Sequence, residues 1–172
     1  DEKKHYRGYY SNELKVQPEF NCEYKESEKA LTTPVAKRPD KDYLKIGNCV
    51  DLYFELDYQA YLDNGSSVTA SENWATSIFN ELAVLYSNEN IDLALAQIKV
   101  WNTPDPYRSE GSVSAMMDKF AIQVKNNYNG RLAHLLSTRN LGGGIAWVDV
   151  LCSNYNANGH WGPYAVSTSL QS

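Results

Sequence analysis

The chain has 172 residues, 42% apolar and 22% charged, and carries a net charge of −5. That length suits one globular domain with a sizeable core, and the acidic balance offers no basic face to nucleic acid or an anionic membrane. No apolar run is long enough to span a bilayer, and no signal peptide opens the chain, so that Asp1 reads as a processed or engineered start.

Charge is unevenly spread. Residues 1–45 hold 10 of the 16 Lys and Arg and 9 of the 21 Asp and Glu, a local balance of +1; the remainder carries −6. Pro18, Pro34 and Pro39 fall in the first segment, which shows no sustained periodicity. It reads as a leader, propeptide-like or linker, with little regular structure. The folded part then covers 46–172.

The first predicted strand is "CVDLYFELDY", with Val50, Leu52, Phe54 and Leu56 on one face and Asp51, Tyr53, Glu55 and Asp57 on the other. Glu55 and Asp57 have the form of paired carboxylates, but a solvated strand face explains them more simply. "LDNGSS" is a turn. A helix follows over 68–90, striped by Trp74, Ile78, Leu82, Leu85 and Tyr86, with Thr69 and Glu72 as a capping box.

"IDLALAQIKVW" is nearly continuous in apolar residues, which suits a central strand covered on both faces. A second helix, 113–128, is striped by Val113, Met117, Phe120 and Val124, and "RLAHLLS" is a third strand. Strand, helix, strand, helix, strand predicts three parallel strands with helices on the sheet. "GGIAWVDVLC" and "PYAVSTSL" are two further strands, joined by the polar loop "SNYNANGHWG".

Three glycines, Gly142 to Gly144, open the fourth of these strands. A phosphate loop needs a helix directly after its glycines and a last glycine where Trp147 stands, so that reading fails. The alternative is an edge where a second backbone approaches closely.

This order of elements resembles the upper subdomain of the metzincin zinc proteases, most closely the reprolysin (adamalysin) branch and its secreted bacterial relatives. The resemblance rests on "VDLYFELDYQAYLDNGS", "NIDLALAQIKVWNTPDPY" and "GRLAHLLSTRNLGGGIAWVDVLCS", and covers residues 46–172. It implies a three-layer α/β fold: a mixed five-stranded sheet, two long helices and one antiparallel edge strand lining the active-site cleft. It also implies a secreted or cell-surface zinc metalloendopeptidase acting on peptides or proteins. In the complete domain three histidines hold the zinc, and a glutamate acts as general base on its water.

The zinc motif HExxHxxGxxH is absent here. The histidines are His5, His134 and His160, and no two stand at i, i+4. The chain reads as the front half of such a domain, inactive without the missing C-terminal half. An adhesion or carbohydrate-binding module on a zincin-like scaffold is the alternative, suggested by 4 Trp and 13 Tyr, although Trp74 and Trp101 read as core.

The resemblance also assigns further roles. Cys152 is expected to bridge to a residue beyond the chain, leaving Cys22 with Cys49. Cys22 can instead serve as a cysteine switch on the zinc, although Glu23 stands where the family usually has glycine. Asp51 matches an acidic position that contributes to a calcium site, while the position of the second acidic ligand holds Arg131, a fixed cation that repels Ca²⁺. With no other ligand at metal spacing, His134 and His160 read as structural.

Gly143, Gly144, Ile145, Ala146 and Trp147 are the expected substrate-binding residues. A free edge is normally blunted by charge or proline, and none stands between Gly142 and Val148. A substrate strand can add there through main-chain hydrogen bonds, with Gly142 and Gly143 shaping a bulge and Gly144 admitting its backbone.

Overall fold

Alternation along the first strand sorts its side chains onto two interiors rather than onto one interior and water. The structure, a computed structural model, describes residues 21–26, 49–151 and 153–171. Its elements are β1 (Asn21–Glu26), β2 (Cys49–Leu56), α1 (Tyr58–Asp63), α2 (Val68–Ser87), β3 (Asp92–Val100), α3 (Val113–Val124), β4 (Leu132–Leu136), β5 (Gly143–Val148) and β6 (Tyr164–Ser167).

The strands form one sheet in the order β1-β5-β6-β4-β2-β3. β3, β2, β4 and β6 are mutually parallel, β5 runs antiparallel to β6, and β1 runs parallel to β5. This is the expected mixed α/β sheet, with β5 antiparallel as read, and β1 adds a sixth strand beyond it. The leader segment was expected to hold little regular structure; within it Asn21–Glu26 is a strand.

Leu52, Phe54 and Leu56 pack with Trp74, Ile78, Phe79 and Leu82 of α2. Tyr53 packs on the other side with Met116, Met117, Phe120 and Val124 of α3, joined by Ala133, Leu135, Ile145, Tyr164 and Val166 from the sheet. Burying each large α3 side chain is worth about 1.5–3 kcal/mol. The result is three layers, helix on sheet on helix.

Four details differ from the sequence reading. α2 is capped by Ser67, whose hydroxyl accepts from the Ala70 amide at 3.2 Å, not by Thr69. Leu85 and Tyr86 leave the core stripe and are 62% and 45% exposed. The short helix α1 follows β2 directly, capped by Asp57. Among the described residues β3 is an edge strand, not a central one. Its continuous apolar look has a local cause: the register slips between Leu52 and Tyr53, leaving Ala96 as an extra residue. The bulge shifts the alternation, so that Leu93, Leu95, Ile98 and Val100 all face α2.

Candidate functional site

The chain enters β5 through a tight connection anchored to the end of β6. Gly142 and Gly143 have φ of +92° and +129°, where a side chain is strained. The Thr168 amide donates to the Gly143 carbonyl at 2.8 Å, and the Gly143 amide donates to the Thr168 hydroxyl at 3.3 Å. A Cβ on Gly144 would lie 3.0 Å from the Val166 carbonyl oxygen. The close approach that requires glycine there is that of β6.

Ile145 is buried in the α3-side core and Trp147 packs against it. Gly144 and Ala146 pair with Ser167 and Ala165 of β6. The opposite side of β5 was expected to be free, and it is not. β1 runs along its full length, with Asn21 opposite Gly143, Cys22 opposite Gly144, Glu23 opposite Ile145, Tyr24 opposite Ala146 and Lys25 opposite Trp147. The expected docking residues thus lie together on one strand, and a peptide segment of the same chain occupies the edge they offer.

The sheet order also bears on the cysteines. Cys22 lies on β1 and Cys49 opens β2, with β5, β6 and β4 between them. Four strand spacings are about 19 Å, whereas a disulfide needs Cα atoms within about 7 Å. The expected Cys22–Cys49 bridge does not fit this fold. Cys152 and His5 lie outside the described residues.

Glu55 and Asp57 are not on a solvated face: both are fully buried. The α3 side of the sheet is covered, so a carboxylate there must find donors. Glu55 accepts from the hydroxyls of Tyr53 and Tyr107 and from the Trp101 indole N–H, and Lys99 Nζ lies 3.4 Å away. Burial first, and then the charge of Glu55, push both phenols far above their ordinary range. Asp57 accepts from the Ala60 amide at 2.8 Å and from the Ser137 hydroxyl at 2.5 Å. Burial pushes its carboxyl up to about 6; those two bonds oppose the shift and the charge of Asp105 adds to it. Sequence alternation placed these residues on the right face but gave no sign that the face is covered, because the donors Trp101 and Tyr107 lie far along the chain.

The two described histidines are held apart. His134 Nε2 is 2.8 Å from the Ser167 hydroxyl, and burial brings its pKa down to about 4. His160 Nδ1 is 2.8 Å from the Tyr155 hydroxyl. Among the described residues no group of three or more His, Cys, Asp or Glu converges. These side chains do not fit the zinc that the family resemblance implies. At the expected calcium position, Arg131 Nε stands 3.9 Å from Asp51 Oδ2 and places a cation where the metal would sit.

Comparison with known proteins places this geometry. The chain is 27% identical over 118 residues to a zinc metalloproteinase/disintegrin of Bitis gabonica, an alignment covering 64% of this chain and 36% of the relative. The chain therefore matches about a third of that relative's length. Residues 47–171 match the Reprolysin_5 family, described as metallo-peptidase family M12. With most of its length matched and the three-layer mixed sheet in place, the chain belongs to the reprolysin-type metallopeptidases of family M12.

Proposed function

We propose that this chain supplies the substrate-docking part of a secreted or cell-surface zinc metalloendopeptidase, and that peptide or protein substrates add as a strand to β5 across Gly143–Trp147. The observation that carries the reading is the pairing of β1 with all of β5: an extended segment is already held there, main chain to main chain. Such bonds are indifferent to sequence, which suits a protease edge. In this reading β1 is a self-supplied occupant that must leave before substrate docks, and the switch role read for Cys22 belongs to that departure. Cleavage needs zinc ligands from residues outside this chain, so the chain alone is inactive.

The test is made in the intact protease, with proline placed in turn at Ile145, Ala146 and Trp147. At whichever position the N–H points away from β6, proline removes only the bond to the docked strand. That variant should fold and keep its metal while peptide cleavage falls by about two- to ten-fold, the loss of one main-chain bond. Full peptide cleavage by all three folded variants would refute the docking role.

A further inference from the structure

The opposite edge of the sheet has its own pattern. β3 runs for nine residues without proline, its only charged side chains are Asp92 and Lys99, and among the described residues no strand lies outside it. Long apolar edges are normally blunted, because their unpaired N–H and C=O groups recruit other strands.

We propose that β3 is a self-complementary interface, through which a second copy of this chain pairs antiparallel to form a two-fold dimer with one continuous sheet. A two-fold axis between Leu95 and Ala96 sets Asp92 of one copy opposite Lys99 of the other, Leu93 opposite Ile98, and Ala94 opposite Gln97. Each pair occurs twice, as an isologous interface requires.

For such pairing, partners must share a face of the joined sheet, and the bulge at Ala96 provides this. In an unbroken strand, residues seven apart point to opposite faces. Here Asp92 pairs with Cys49 and Lys99 with Glu55, and six residues separate those two on β2. Asp92 and Lys99 therefore share the α3-side face. Leu93 and Ile98 share the other face, against α2. Opposite charges directly across an antiparallel pair attract, and like charges repel.

Lys99 keeps its contact with Glu55 and remains about one-third exposed, with further donors on its ammonium. Beside the start of β3, the end of α2 leaves Val84, Leu85 and Tyr86 exposed at 64%, 62% and 45%. Ala83, Val84, Ile91 and Leu93 line a groove between these two elements. Across the two-fold axis, Ile98 of the second copy comes beside Leu93, at the mouth of that groove. The apolar helix end thus continues the strand interface.

The test uses the intact protein in sedimentation velocity, together with carbodiimide coupling, which joins only carboxylates and amines in contact. Asp92 and Lys99 of one chain are about 20 Å apart along the strand, so a cross-link between them must join two chains. A mixture of isotopically heavy and light protein should give the heavy–light Asp92–Lys99 peptide. Asp92→Lys sets lysines opposite Lys99, and Ala96→Lys sets two lysines beside the axis. Each should weaken the dimer by about ten-fold or more with an unchanged melt by circular dichroism. A monomer at every accessible concentration overturns the proposal. So does a dimer that lacks this cross-link, or one that both variants leave intact.

Discussion

The Tyr107 hydroxyl donates to Glu55, a residue 52 positions earlier, and ties the loop ahead of α3 to the second strand. The carboxylate is shared with Tyr53 and Trp101 and faced by Lys99. Removing one donor leaves a buried charge short of a partner. Tyr107→Phe should therefore lower stability by about 1–3 kcal/mol in denaturant unfolding. Glu55→Leu should cost more, because Tyr53, Trp101 and Tyr107 then all lose their acceptor. A Glu55→Leu protein as stable as the parent would show that the cluster contributes nothing.

Asp57 and His134 should give opposing pH dependences. Asp57 titrates at about 6 in the folded protein, above its value of 3.8 when unperturbed. The folded state therefore binds the proton more readily, and this group's contribution falls as pH rises from 4 to 6. His134 is held at about 4 against an ordinary 6.5, so the unfolded chain takes the proton first. Its contribution falls as pH drops from 6.5 to 4. Each effect is about 3 kcal/mol and the signs are opposite, so they nearly cancel. Asp57→Asn should expose a stability that rises with pH across this window, and His134→Gln one that falls. Equal slopes for the two variants would contradict these environments.

Much of the fold is legible because apolar periodicity reports burial directly. Val50 to Leu56 and the α3 stripe of Val113, Met117, Phe120 and Val124 sort as their spacing predicts. Three features are not legible, each for a physical reason. β1 pairs through its backbone, which leaves no periodic signature in "NCEYKE". Glu55 looks solvated because a strand pattern does not say whether its second face is covered, and here Trp101 and Tyr107, from the segment between β3 and α3, close over it. β3 looks central because the bulge at Ala96 alters the alternation. At the candidate site, the glycine triplet and the missing charges marked β5 as special. That β1 already occupies it depends on a contact about 120 residues away along the chain, which local pattern does not encode.

Arg131 makes calcium an unfavourable guest beside Asp51. Excess Ca²⁺ should leave the melting temperature unchanged, while Arg131→Asp should make it calcium-dependent. A bound ion at 100 times its Kd would add about 2.7 kcal/mol. A calcium-induced rise in the parent protein would mean that Arg131 swings aside and the site survives.

The most direct measurement of the docking account is competition on the intact protease from which residues 1–45 have been removed. A synthetic peptide spanning Asn21–Glu26 is added at increasing concentration while cleavage of a peptide substrate is followed. The account predicts competitive inhibition, with KM rising and kcat unchanged, and predicts that N-methylation of the peptide's main-chain amides abolishes it. Inhibition that survives N-methylation at every amide, or no inhibition at all, would contradict the docking of an extended chain on β5.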